Sequence, residues 1–277
     1  MPELEDELGD VVKKARAGLG LSLATLAERS GLTESQLQAI EVYTGHPDEA
    51  AVRRLAEALQ LRPEPLWELA QDSWSAPDVP WSVGPDVTIE RLTNHYPEHC
   101  YILSLPSGET VIVDPGAEPE RIAQAATRDG RRPLGILITH RHQDHTGAVV
   151  PVQAATGAPV FVHADDVEGV QGVPPAAVRP FGEDGALEVQ PFQVHTLHTP
   201  GHTPGSATFV LRRGEDVAAF CGDTLFAGSA GNPRAGYQAL LNSLRLKLGG
   251  LPSGTVFYPG HGPSTTLANE RERNPFL

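Results

Sequence analysis

Cysteine is nearly missing from this 277-residue chain: only Cys100 and Cys221 occur. That excludes a disulfide framework and fits a reducing compartment. Both lie among apolar neighbours (Cys100-Tyr-Ile-Leu and Ala-Ala-Phe-Cys221) and read as small buried residues, not reactive thiols. No apolar run approaches the roughly 18–20 residues needed to cross a bilayer, so no membrane association is expected. Met1 to Asp10 is acidic and has no signal-peptide core, which makes cytoplasmic residence the expectation. Positive charge is scarce too. With 21 Lys+Arg against 35 Asp+Glu the net charge is −14, which argues against broad, non-specific nucleic-acid affinity. It says little about small substrates, because a bound metal can reverse the field inside a cleft.

What the chain does have is two regions of different texture. Up to about residue 72 it reads as helices, with Leu8, Val11, Val12 and Ala15, then Leu23, Leu26 and Ala27, then Val52, Leu55, Ala56 and Leu59 at helical spacing. Ser22, Thr33 and Pro47 are candidate helix starts. Ser22 to Ser30, Gly31, and Leu32 to Glu41 form a helix, a glycine turn and a second helix. This segment resembles the Cro/repressor type of helix-turn-helix over about residues 8–70. In that family the second helix, here about Thr33 to Tyr43, enters the major groove, which makes Thr33, Ser35 and Gln36 candidate DNA contacts and a homodimer the expected working form. Residues 1–75 carry 7 Lys+Arg against 14 Asp+Glu, so the module has little with which to neutralise phosphates. A dimerisation scaffold is the alternative reading.

Residues 73–86 hold three prolines and no helical pattern, and read as a linker docked by Trp74 and Trp81. From residue 87 short apolar strands alternate with helices and Gly/Pro turns. Tyr101 to Leu105 and Thr110 to Asp114 read as a hairpin, and Glu118 to Asp129 as a helix with Ile122, Ala125 and Ala126 inward. Further strands are expected at 135–139, 159–162, 189–197, 207–211, 217–220 and 255–258. Many are apolar on both faces, which requires covered sheets.

Four of these strands run straight into metal-binding residue types. Gly135 to Thr139 precedes His140-Arg-His142-Gln-Asp144-His145; the strand ending at His198 precedes Thr199-Pro-Gly-His202; Val217 to Gly222 precedes Asp223; Thr255 to Gly260 precedes His261. Ligands at strand ends on a rigid sheet are how a precise site is built. Imidazole and carboxylate suit zinc, iron and manganese. His140 and His142, two apart on extended chain, project to one side, whereas Asp144 and His145 open the next helix and can face the other way. One short segment can thus feed two neighbouring ions, with Asp223 as the natural bridge. Two divalent cations against two aspartates and one hydroxide leave a small positive charge, which attracts an anionic substrate, polarises its carbonyl and makes hydroxide at neutral pH.

The spacing His140-x-His142-x-Asp144-His145, with His202, Asp223 and His261 in order, resembles the metallo-β-lactamase superfamily over about residues 87–277. The resemblance implies an αββα sandwich, hence an α+β chain of three parts: helix-turn-helix 1–72, linker 73–86, hydrolase 87–277. By position it places His140, His142 and His202 on one metal, Asp144, His145 and His261 on the other, and Asp223 between them. Asp114, in Asp114-Pro115-Gly116, corresponds to a supporting turn beside the site, and Asp144 also orients the attacking hydroxide. Zinc is the first choice of metal, with iron or manganese as alternatives.

Within the superfamily, Thr199 to Ser206, Gly222-Asp-Thr-Leu-Phe226 and Pro259 to Thr266 are similar to glyoxalase II-like thioesterases, which implies hydrolysis of a small anionic acyl thioester. Only 16 residues follow His261, so the C-terminal helical domain with which fuller glyoxalase II enzymes grip glutathione is not expected. Three other activities stand beside this one: an iron-dependent persulfide dioxygenase, a DNA-binding regulator whose metal domain senses or destroys an effector, and a lactone hydrolase. The other histidines carry weaker claims. His198 is expected to pack or bond the Thr-Pro-Gly turn, and His195, which alternates with it, has no better claim. His163 is expected to cap a helix or face solvent, His46 to be solvated, and His95 and His99 to flank a loop, with substrate contact as the weaker alternative.

Overall fold

The computed structural model describes residues 4–277; the first three residues of the acidic N-terminus lie outside the described residues. Strands β1 (Ser82–Val83), β2 (Val87–Thr93), β3 (His99–Ser104), β4 (Glu109–Val113), β5 (Arg132–Ile138), β6 (Val160–His163) and β7 (Val178–Phe181) form one sheet in chain order. It is antiparallel up to β4 and parallel from there on. A second, six-stranded sheet uses β8 (Gly185–Ala186), β9 (Val194–His198), β10 (Ala207–Arg213), β11 (Asp216–Gly222), β14 (Val256–Pro259) and β15 (Thr265–Thr266), in the order β15-β14-β11-β10-β9-β8. A ribbon of β12 (Leu225–Phe226) and β13 (Ser229–Ala230) follows β11.

Side chains alternate across a strand, and here both alternating sets are apolar. Tyr101, Val111, Val113, Leu137 and Phe161 of the first sheet meet Phe209, Leu211, Ala218, Phe220 and Tyr258 of the second in one buried cluster. The intervening Ile112, Ile136, Ile138, Val160 and Val162 point the other way, onto Ile122, Ala125 and Ala126 of α6 (Pro119–Thr127) and Val149 and Val152 of α8 (Val149–Thr156). On the far side of the second sheet, Val217, Ala219, Cys221 and Phe257 pack with Leu240 of α9 (Tyr237–Asn242), Leu244, Leu248 and Leu267 of α10 (Leu267–Arg273). The result is the αββα sandwich, two sheets face to face with helices outside each.

The hairpin, the inward face of α6 and five of the expected strands are where the sequence put them. The run 189–197 is broken instead: Val189 and Phe192 form an isolated bridge around Gln190-Pro191, and the strand begins only at Val194. A proline cannot donate to a ladder, so the apolar run could not continue through it.

Five helices precede the sandwich: α1 (Leu8–Gly18), α2 (Leu23–Ser30), α3 (Glu34–Glu41), α4 (Glu49–Leu59) and α5 (Pro63–Ala70). Ser22 caps α2 and Thr33 caps α3 by accepting from the third backbone N–H beyond. Gly31, in the left-handed region at φ 69°, makes the turn between them. The start of α4 is capped by Asp48, one residue after the expected Pro47. Leu26, Leu37, Val52, Leu55 and Leu59 fill the module's centre, and that cluster is continuous with the outer face of the second sheet. Arg62 donates to the carbonyls of Arg271 and Glu272, and Trp74, 6% exposed, donates its indole N–H to Arg273 O at 3.1 Å. The 73–86 segment is therefore fastened down. Trp74 is buried, Trp81 is 41% exposed but lies 5.7 Å from the Tyr258 ring, and the segment ends as strand β1.

Candidate metal centre

Each ligand candidate leaves the end of a strand. β5 ends at Ile138 and delivers His140 and His142, and the single turn α7 (Gln143–Thr146) delivers Asp144 and His145. β9 leads to His202, β11 to Asp223 and β14 to His261. Gly222 permits the last bend before Asp223: its φ is +48°, and a Cβ there would lie 2.2 Å from Thr139 Oγ1.

The seven side chains meet in one place. Donor atoms of His140, His142 and His202 lie within 4.8 Å of one another, as do those of His140, His145 and Asp223, and those of Asp144, His145 and His261. Nε2 of His202 is 2.8 Å from Nδ1 of His142 and 3.4 Å from Oδ2 of Asp223, with His140 Nε2 4.0 Å from that same oxygen. The other oxygen, Asp223 Oδ1, is 3.3 Å from His145 Nε2 and 3.8 Å from His261 Nε2. Asp144 Oδ2 is 3.3 Å from His261 Nε2. His140, His145 and Asp223 are buried, whereas His142 and Asp144 are partly open and mark the mouth.

The donors of these residues fit divalent ions. His140 Nε2, His145 Nε2 and Asp223 Oδ1 are buried and have no hydrogen-bond partner, and a buried polar atom without a partner costs about 1–3 kcal/mol. All three point into the same space. Desolvation holds His140 well below the ordinary histidine range and His202 down at about 4, so both stay neutral and keep a lone pair to offer. Burial pushes Asp223 up, but the surrounding His145, His140 and His202 outweigh it and hold it low, as a carboxylate. Burial pushes His145 and His261 down, yet the neighbouring carboxylates overcome this and raise both, so the acids here draw in positive charge.

Outside this group the structure supplies holders. Asp114 accepts from the Thr139 backbone N–H at 2.7 Å, the Thr139 hydroxyl at 2.6 Å and His145 Nδ1 at 3.0 Å. His202 Nδ1 donates to Asn232 O at 2.9 Å. Such contacts set which ring nitrogen of each histidine faces the centre. Two buried acids near the site carry no motif and were invisible in the sequence. Glu98 is fully buried 3.9 Å from His145 Nδ1, with burial raising its carboxyl well above the usual range. Asp166 is equally buried and bonds the ligand loops.

The other histidines stay out of the centre. His99 is a buried strand residue, not a loop residue, bonded to Thr93 Oγ1 and Gly262 O. His163 caps the 3-10 turn at 164–170, as the cap reading expects, but is buried and not solvent-facing. It stacks on His198 at 4.0 Å, and His198 bonds Pro204 O of the loop carrying His202. Donor atoms of His163, Asp165 and His198 also lie within 4.8 Å of one another, but one ring nitrogen of each histidine is taken up by backbone, His163 Nδ1 by the Asp165 N–H and His198 Nε2 by Pro204 O. His46, His95 and His195 are exposed. In the helical module Ser35 and Gln36 of α3 and its cap Thr33 are exposed. Gln36 Oε1 accepts from the Thr33 N–H at 2.9 Å, so this pair closes a reciprocal helix cap.

Comparison with known proteins agrees with this architecture. A model of the metallo-β-lactamase superfamily matches residues 94–261, and a helix-turn-helix model matches residues 12–66. A probable metallo-hydrolase, YqgX of Bacillus subtilis, is 34% identical over 186 residues, covering 61% of this chain and 87% of the relative. The hydroxyacylglutathione hydrolase GloC of Haemophilus influenzae is 32% identical over 200 residues, covering 66% and 93%. Among solved structures, TTHA1623 in a di-iron-bound form is 37% identical with a TM-score of 0.53, over 72% of this chain and all of that one. The chain belongs to the metallo-β-lactamase superfamily: it is a metallo-hydrolase of the glyoxalase II-like group with a helix-turn-helix segment ahead of the sandwich.

Proposed function

We propose that this chain is a thioesterase in which His140, His142 and His202 hold one divalent cation, Asp144, His145 and His261 hold a second, and Asp223 joins them. The observation that carries the reading is Asp223, whose two oxygens face different imidazole sets at 3.3–4.0 Å. Bound there, two such ions would supply an acidified water and a polarised carbonyl. Asp144, at the mouth and held low as a carboxylate, would orient the attacking oxygen, a role its contact with His261 at 3.3 Å supports. Arg234 lies exposed in the loop whose Asn232 carbonyl holds His202, and its charge reaches His142, which favours an anionic acyl group or carrier. Water adds to the acyl carbon, the C–S bond breaks, and the thiol leaves with the proton. Zinc is the first candidate metal, with iron and manganese next.

The test is metal analysis of the purified chain followed by thioester, lactone and persulfide substrates on that preparation. Thioester turnover with two bound ions supports the proposal. Oxygen consumption with a persulfide and a single iron would replace it with a dioxygenase. His202→Ala should abolish turnover and remove one ion from the same sample.

A second reading, that the chain also binds DNA, is favoured by the exposure of the first turn of α3, where Ser35 carries no side-chain bond among the described residues. A salt-dependent mobility shift on the chain's own upstream DNA tests it. No shift at low salt would leave the 1–72 module as a scaffold, with 87–277 as the hydrolase and 73–86 as a fastened connection.

A further inference from the structure

The loops that carry His142 and His202 come from different sheets, and their separation needs a brace. Asp166, in the 3-10 turn 164–170 after β6, has no exposed surface. Its Oδ2 accepts from the backbone N–H of Arg141, the residue between His140 and His142, at 3.0 Å, and from the Thr203 hydroxyl, next to His202, at 2.5 Å. Its Oδ1 accepts from the Gly205 N–H at 3.0 Å. The Arg141 guanidinium adds a contact at 3.8 Å and reaches Glu168, two residues on, at 2.6 Å. Just before that turn, at the end of β6, His163 stacks on His198, which holds Pro204 O.

We infer that Asp166 is a positioning residue for the His140/His142/His202 triad: one buried carboxylate ties the loop of His140 and His142 to the loop of His202 and sets the width of that half of the centre. The inference rests on the metal-binding reading above. Asp114 does the comparable work on the other half, where it bonds Thr139 and His145. A carboxylate suits the task because three donors converge on it. Asparagine would turn an –NH2 towards one of them, and alanine would leave the Arg141 and Gly205 N–H groups unbonded in a dry interior, with Ser206 Oγ the remaining partner of the Thr203 hydroxyl.

Asp114 bonds the ligand His145 directly and reaches His140 only through Thr139, whereas Asp166 bonds only the loops of the first triad, so their loss has different signatures. Metal content and chelator-competition affinities are measured on wild type, Asp166→Ala and Asp166→Asn, with cobalt substitution to resolve the two positions by absorption. Asp166→Ala should weaken one ion by about 10- to 100-fold, the range for lost supporting contacts, while the ion of Asp144, His145 and His261 keeps its affinity. Asp166→Asn should show a smaller loss at the same position, and it decides the matter if the alanine variant does not fold. Equal weakening of both ions, or none in a folded asparagine variant, overturns the inference. Failure of wild type itself to take up ions overturns the metal reading with it, whereas two-ion binding in wild type and unchanged affinities in the variant remove only the role of Asp166.

Discussion

Replacing Asp114 separates backbone, hydrogen-bond and tautomer effects at one position. Its φ is +50°, a left-handed conformation that asparagine tolerates and alanine adopts at a cost of about 1 kcal/mol. Its carboxylate receives the Thr139 N–H, the Thr139 hydroxyl and His145 Nδ1. In Asp114→Asn the carbonyl oxygen can keep the Thr139 N–H, and the hydroxyl can reverse to accept from the new –NH2. His145 has no such escape. Facing an N–H donor, its Nδ1 must become an acceptor, so the proton moves to Nε2, the nitrogen aimed at Asp223. The lone pair needed there is lost, and the second ion should bind about 10- to 100-fold more weakly, or about 1.4–2.7 kcal/mol, with little loss of fold stability. Asp114→Ala strands the buried Thr139 N–H, which has no other partner, at about 1–3 kcal/mol and adds the backbone cost of about 1 kcal/mol, so its stability should fall by roughly 2–4 kcal/mol. Competition titration against a chromophoric chelator reads the first effect and urea unfolding of the metal-free proteins the second. Wild-type affinity for both ions in Asp114→Asn would refute the tautomer argument; equal stability of the two variants would refute the backbone and hydrogen-bond argument.

Glu270, buried in α10, is raised by desolvation from an ordinary 4.5 to about 7 while accepting from Gly228 N, Thr265 and Asn274. Folded, it binds its proton more tightly than unfolded, so its stabilising contribution is complete below about pH 4.5 and lost as pH rises towards 7, about 3 kcal/mol in all. Unfolding of Glu270→Gln between pH 5 and 8 should lack that part of the wild-type decline, and parallel curves would contradict the assignment. Trp74→Ala should cost about 3–5 kcal/mol through lost packing and the bond to Arg273 O. Because the helical module and second sheet share one core, wild type should unfold in a single calorimetric transition, and two resolved transitions would show that the shared core does not couple them. Chelation should lower the melting temperature along with thioester turnover, since ions that bind only the folded chain stabilise it; an unchanged melting temperature after complete metal removal would count against the centre.

Much of the site was legible because its chemistry is written locally. His140, His142, Asp144 and His145 lie within six consecutive residues, and His202, Asp223 and His261 each follow an apolar strand through a short turn, so residue type and strand end coincide in the sequence. The helix-turn-helix was legible for the same reason: Ser22, Gly31 and Thr33 act on backbone a few residues away. Asp166 and Glu98 had no such signature. Asp166 stands among acidic neighbours like any surface turn, and Glu98 follows Pro97 in what reads as a loop. Their burial depends on which strands come to lie beside them.

From the sequence alone came the identity of the candidate metal donors, the turns that present them and the alternation that divides each strand between two apolar layers, because all three are short-range properties of residue type and backbone. Tertiary structure alone decided that Asp223 divides its oxygens between two imidazole sets, that Asp166 and Asp114 brace opposite halves, and that the N-terminal helices share a core with the second sheet. Those are distances between segments up to about two hundred residues apart, set by how the sheets stack and which side chains fill the space between them.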